Sequence, residues 1–123
     1  MQRFCFTLKL RSDPKLIAEY VELHRHGRPE IHKSIRDAGI LDMQIFLTGN
    51  QLFMIMDTTD GFTPERKAKM DRENPAVMEW ERLMSRFQDV DEEGDPTARW
   101  LPLTKIYQLE QNQVHPWPMD KTG

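Results

Sequence analysis

With one cysteine in 123 residues, the chain cannot form an internal disulfide. Cys5 lies in an apolar, strand-like run, where a free thiol behaves as a small hydrophobe. A chain without disulfides suits a reducing compartment, so a cytoplasmic protein is expected. No stretch approaches the roughly 18 apolar residues of a membrane span. The chain passes from Met1-Gln2-Arg3 straight into a strand pattern, with no apolar region to mark export. Neither sign of charge dominates: 17 Lys and Arg stand against 20 Asp and Glu, a formal net charge of −3. That leaves no bulk attraction to nucleic acid or to an anionic membrane. A glycine-rich phosphate loop, a nucleophile elbow and paired CxxC motifs are also missing, which sets nucleotide-dependent and zinc-dependent chemistry aside as leading readings.

What is present is the composition of one folded domain, 38% hydrophobic and 30% charged. Phe4, Phe6, Leu8 and Leu10 alternate with Cys5, Thr7 and Lys9, the period of a half-buried strand. Ser12-Asp13-Pro14 then supplies cap candidates and a proline for a first helical turn. Ile17, Tyr20, Val21 and His24 form one helical stripe. Gly27-Arg28-Pro29 breaks that helix, and a second piece carries Ile31, Ile35 and Ala38 up to Gly39.

Strand-like runs follow from Ile40 to Leu47 and from Leu52 to Thr58, with Gly49-Asn50 as a two-residue turn in which both residues tolerate positive φ. That turn predicts a register: Leu47 opposite Leu52, Ile45 opposite Met54 and Met43 opposite Met56 on one face. Phe46 with Phe53, Gln44 with Ile55, and Asp42 with Asp57 fall on the other. Thr63-Pro64 and Asn74-Pro75 start two more helices, the second with a stripe of Val77, Trp80, Leu83, Met84 and Phe87. A last strand is expected from Leu101 to Leu109, at a sheet edge because of Pro102.

The order is that of a ferredoxin-like βαββαβ sandwich, class α+β, spanning residues 1–109, with a tail over 110–123. Helices cover one sheet face; the other, bearing Phe46, Phe53 and Ile55, is left apolar and open. Such a patch predicts a partner, here a second copy packed face to face as a homodimer.

Tyr20 and His24 are four residues apart and therefore neighbours on one helix face. Spacing alone reads them either as a core tyrosine with a satisfied histidine or as a hydroxyl donor beside a general acid–base. Histidine suits the second role because its unperturbed pKa is about 6.5. Trp80, on its own buried stripe, is either core or a platform for the apolar face of a sugar ring. Met43, Met54 and Met56 form a wall that fills gaps and adapts to ligands. His24, His26, Glu30 and His32 look superficially like metal ligands, but i and i+2 point apart on a helix, so no metal site is expected. Asp42 opposite Asp57 is a repulsive pair; it calls for a cation such as Arg3 or Lys105, or for solvation at the rim, on the face away from His24.

Taken together, several stretches resemble the L-rhamnose mutarotase family, which includes enzymes assigned to L-fucose. They are Arg3-Phe4-Cys5-Phe6-Thr7-Leu8, Ile17-Ala18-Glu19-Tyr20 leading to His24, Pro29-Glu30-Ile31, and Ser34 to Ile40. Further on come Leu52-Phe53-Met54-Ile55-Met56, Asn74-Pro75 and Glu79-Trp80-Glu81 with Leu83-Met84. The resemblance implies a dimeric α/β barrel and a sugar site without metal or cofactor. It also implies His24 as proton donor, with Tyr20 and Trp80 as substrate contacts. Three positions depart from the pattern: Met43 replaces a frequent tyrosine, Glu81 a second tryptophan, and Arg28 a tryptophan before Pro-Glu.

The implied activity is exchange of α and β anomers of a 6-deoxy-aldohexose monosaccharide, L-rhamnose or L-fucose, by acid–base ring opening and closure. Met43 and its neighbours would meet the sugar methyl. Two alternatives share the expected fold: a small monooxygenase of the dimeric barrel type and a sugar-binding protein without turnover.

Overall fold

Proline marks where every helix in the described residues begins. The computed structural model describes residues 1–91 and 93–110. It contains α1 (Pro14–His26), α2 (Pro29–Asp37), α3 (Pro64–Arg72) and α4 (Pro75–Met84), each with proline in its first turn. There the missing N–H forfeits no helical bond and the fixed φ is already helical. Asp13, Thr63 and Asn74 cap the backbone N–H groups of Lys15, of Arg66, and of Ala76 and Val77. At the start of α2, Arg28 makes no such bond, and its guanidinium serves another contact.

Four antiparallel strands, β1 (Gln2–Lys9), β2 (Ile40–Thr48), β3 (Gln51–Thr58) and β4 (Leu101–Pro102), lie in the order β2-β3-β1-β4. This is the split βαβ order of a ferredoxin-like α+β fold. The hairpin register is the expected one throughout, from Thr48 opposite Gln51 to Asp42 opposite Asp57. The repulsion of that last pair is relieved by Arg3, on the neighbouring strand directly opposite Asp57. Arg3 grips the Asp57 carboxylate with two bonds, Nε–Oδ1 at 2.7 Å and Nη2–Oδ2 at 3.1 Å.

The sheet buries one face. Leu8, Leu10, Leu52, Met54 and Met56 pack under the helices, against Tyr20, Ile31, Val77, Trp80, Met84 and Phe87. Beyond α4 the chain is stitched back onto the end of β1. Arg11 N donates to Phe87 O (2.8 Å), Asp89 N donates to Lys9 O (2.9 Å), and Gln88 bridges Leu10. Phe87 and Leu10 are fully buried there, which ties the C-terminus of α4 to the sheet. On the opposite face Phe46 is 53% exposed and Phe53 38%.

Four details depart from expectation. The last strand, expected to reach Leu109, ends at Pro102. Leu103 N still donates to Cys5 O (2.8 Å), but Ile106, Tyr107 and Leu109 leave the sheet and stand exposed. Proline has no N–H for the ladder, and the segment after it finds nothing among the described residues to bury its apolar side chains. In the hairpin only Gly49 has positive φ (57°). This glycine-first pattern belongs to a II′ turn rather than to I′. Asn50 instead bonds Leu10 O and Ser12 Oγ through its amide, both at 3.0 Å. Val21 is exposed, because α1 is rotated so that Leu16, Ile17, Tyr20 and Leu23 pack inward. The expected tail, apart from Glu110, lies outside the described residues.

Gly27 and Gly49 give a paired test. Both have left-handed φ, 65° and 57°, which costs an L side chain about 1–2 kcal/mol. Gly27 also pairs its φ with a ψ of −175°, a combination essentially confined to glycine, and a Cβ there must displace the His32 ring tip 2.6 Å away, whereas at Gly49 it meets open space. Urea unfolding should therefore show Gly27→Ala to be more destabilising than Gly49→Ala; equal losses would contradict this account of the α1–α2 break.

Candidate active site

Helices α1, α2, α3 and α4 and the buried sheet face enclose a cavity of about 620 Å³. Tyr20, His24 and Trp80 line it, and Met43, Met54 and Met56 form part of its wall, so the residues expected to meet the sugar border one space, whereas His26, Glu30 and Asp57 do not. The Tyr20 and His24 rings pack at a tilt of 38° with centroids 4.3 Å apart, and His24 and Trp80 meet edge to face at 5.5 Å. Arg28 lays its guanidinium over the Trp80 ring, 5.1 Å from the centroid, a cation–π contact that steadies the indole.

The protonation pattern of His24 follows from one bond. Nδ1 lies 2.9 Å from the Tyr20 carbonyl oxygen. A carbonyl can only accept, so Nδ1 carries the proton. In the neutral ring Nε2 is then the nitrogen with a lone pair. Burial lowers the His24 pKa from its ordinary 6.5 and the bond to Tyr20 raises it less, so the neutral form prevails near neutrality. Burial also pushes the Tyr20 phenol up to about 12. Tyr20 therefore remains a hydroxyl, a hydrogen-bond donor rather than a base.

Two residues at this site escaped sequence reasoning as contributors. Gln88 is 1% exposed, hydrogen-bonds the Tyr20 side chain, and leaves its own Oε1 without a partner among the described residues. Glu81 lines the cavity beside Trp80, and burial raises its carboxyl from 4.5 to about 7. The signal for Glu81 was its place next to Trp80 on α4; Gln88 had none, since only the suture to β1 brings it to Tyr20. His26 pairs instead with Glu22 at 2.9 Å, and no three possible metal ligands converge among the described residues. Asp42 borders the cavity despite its expected position on the far face. The register is irregular between Ile40 and Asp42, which shifts the start of β2.

A model of the L-rhamnose mutarotase family matches residues 3–109. The chain belongs to that family. It is accordingly a sugar mutarotase, an isomerase acting on carbohydrate. An L-fucose mutarotase of Xanthomonas campestris is 36% identical over 113 residues, 90% of each chain. An L-rhamnose mutarotase of Acidiphilium cryptum is 28% identical over 89% of this chain and 99% of its own. The crystal structure of an L-rhamnose mutarotase from Formosa agariphila superposes with a TM-score of 0.69 at 23% identity, covering 89% of this chain and all of that one. That likeness shows the fold. None of the helices over the described residues is long and apolar enough to cross a membrane.

The two shifted groups act oppositely on stability. His24, depressed, contributes stability that is complete above 6.5 and is lost as pH falls through its folded value. Glu81, raised, contributes stability that is complete below 4.5 and is lost as pH climbs through about 7. Thermal melts of wild type and Glu81→Gln, compared from pH 4.5 to 8, should show wild type losing ground as pH rises. A constant difference across that range would contradict burial of the Glu81 carboxyl.

Proposed function

We propose that this mutarotase interconverts the α and β anomers of a 6-deoxy-L-aldohexose, with L-fucose and L-rhamnose the candidate substrates. His24 moves the proton of the anomeric hydroxyl. The observation that carries the reading is the orientation of His24: Nδ1 committed to the Tyr20 carbonyl, which leaves Nε2 as the reactive nitrogen in a cavity shared with Tyr20 and Trp80. In ring opening Nε2 takes the proton from the anomeric O1. The O1 electron pair becomes the C1=O1 double bond, the C1–O5 bond breaks, and O5 gains a proton from an acid. Rotation about C1–C2 and the reverse of each transfer close the ring on the other carbonyl face, with no net change in atoms or electrons.

The remaining residues bind the sugar in this reading. Tyr20 donates from its hydroxyl to a sugar oxygen, and Trp80, held by Arg28, stacks on the less polar face of the ring. Met43, Met54 and Met56 offer an apolar wall to the 6-methyl group. The higher identity to the L-fucose enzyme, 36% against 28%, favours L-fucose as the better substrate. Every step as written is a proton transfer to or from oxygen, so the reaction calls on no cofactor.

The same reading includes a homodimer joined through the open sheet face, supported by exposed Phe46 and Phe53 beside Ile55. A cytoplasmic setting is likewise part of it, supported by the single free thiol, Cys5. In sedimentation, wild type should run as a dimer of 14.6 kDa chains and the double variant Phe46→Asp/Phe53→Asp as a monomer. A monomeric wild type would count against the dimer.

Anomer-exchange NMR over L-fucose, L-rhamnose and common D-aldoses tests the activity. Wild type should accelerate exchange, most for the 6-deoxy-L-sugars. His24→Ala should lose about 10²–10⁴-fold, the usual worth of positioned proton transfer. Exchange at the uncatalysed rate for every sugar would defeat the proposal, and a His24→Ala variant as fast as wild type would defeat the role of His24.

A further inference from the structure

Ring opening needs an acid to protonate O5 as well as a base to accept from O1, and Tyr20 is too firmly protonated to cycle between the two forms near neutral pH. We propose that Glu81 is this second proton-transfer group, the acid that delivers its proton to the ring oxygen and takes it back on closure. The inference rests on the mutarotase reading above.

Geometry carries the case first. Glu81 borders the same cavity as His24, Tyr20 and Trp80, and its place within α4 holds it there. Its backbone is pinned: the Glu81 carbonyl accepts from Ser85 N (3.0 Å), Ser85 Oγ (3.0 Å) and Arg99 Nη1 (3.1 Å). Its carboxyl, by contrast, makes no hydrogen bond or ion pair with any described residue. Glu81 is half-buried at the cavity wall, and a partly desolvated carboxyl without a partner is favoured by protonation or by a ligand.

The charged groups packed around it explain why it is not simply a structural ion. From α3, Lys67 is spent on Asp71, Nζ–Oδ2 at 2.5 Å. Arg99, after the short helical turn at Pro96–Ala98, gives its Nη1 to the Glu81 carbonyl rather than to the carboxyl. Arg28, between α1 and α2, stacks on Trp80. From α1 come neutral Tyr20 and His24. Lys67, Arg28 and the Arg99 Nη1 group thus have other engagements, with Arg99 Nε left without a partner among the described residues, while Asp71 adds a like charge. Burial raises the carboxyl to about 7, opposed by Lys67 and Arg99 and assisted by Asp71. At neutral pH a protonated Glu81 and a neutral His24 then coexist, the acid and the base of one reaction, with their pKa values moved in opposite directions by the same cavity.

The balance is closed. His24 Nε2 gains the O1 proton and becomes imidazolium as Glu81 loses its proton to O5 and becomes carboxylate. Ring closure returns both protons, O5–H to Glu81 and imidazolium N–H to O1.

The test is the pH profile of anomer exchange for wild type, Glu81→Gln and Glu81→Asp, on whichever 6-deoxy-L-sugar wild type turns over. Wild type should show an alkaline fall with a midpoint near 7. Glu81→Gln, isosteric with the protonated acid, should bind sugar with little change in KM. It should lose about 10²-fold in kcat and lose the alkaline fall. Glu81→Asp should restore part of kcat. Should either variant fail to fold, the Glu81 carboxyl carbon of the wild-type protein can be titrated by NMR, where a midpoint near 7 that moves on sugar addition is expected. A Glu81→Gln enzyme with wild-type kcat and an unaltered pH profile, or a carboxyl that titrates normally and ignores sugar, would overturn the role of Glu81 and leave the mutarotase standing. A wild type without turnover on any sugar would remove the reading on which the role rests.

Discussion

The site depends on one short-range bond, from His24 Nδ1 to the carbonyl of Tyr20 one turn earlier in α1. Helical geometry already engages that carbonyl with the backbone N–H four residues on; the imidazole takes its second lone pair. The bond decides three things together: which nitrogen is protonated, which way the ring faces, and how closely it stacks on Tyr20. Trp80 then completes a cage around an imidazole whose charged form is disfavoured by burial. A histidine with its tautomer fixed by the backbone needs no carboxylate partner to orient it, which fits a reaction that demands modest acceleration.

The fold supports that bond at a distance. The suture of Phe87 and Asp89 onto β1 fixes the end of α4, and with it Trp80 and Gln88. The break at Gly27 turns the chain so that Arg28 reaches Trp80. Arg3 relieves the repulsion between Asp42 and Asp57 by gripping the Asp57 carboxylate.

Much of this was legible in the sequence, because it is set by local rules. Proline with a preceding cap residue starts the helices, and a two-residue turn dictates the hairpin pairing down to Asp42 and Asp57. The Tyr20–His24 neighbourhood follows from a spacing of four. What was not legible depends on contacts distant in sequence. Val21 points outward because the neighbours of α1 select a slightly different stripe. The early end of β4 reflects Pro102 and the lack of a surface among the described residues for Ile106 and Leu109. Glu81 and Gln88 are ordinary polar residues until the packing of α4 against α1 and β1 buries them beside Tyr20. The contact of Arg28 with Trp80 is likewise visible only in the folded chain.

The central claim, that a backbone-locked His24 presents Nε2 to the sugar, is tested most directly by ¹⁵N NMR of the His24 ring at pH 8 with and without substrate. The account predicts a protonated Nδ1 and an unprotonated Nε2, with the Nε2 resonance shifting when L-fucose or L-rhamnose is added. A proton on Nε2 instead, or a ring indifferent to both sugars, would contradict it.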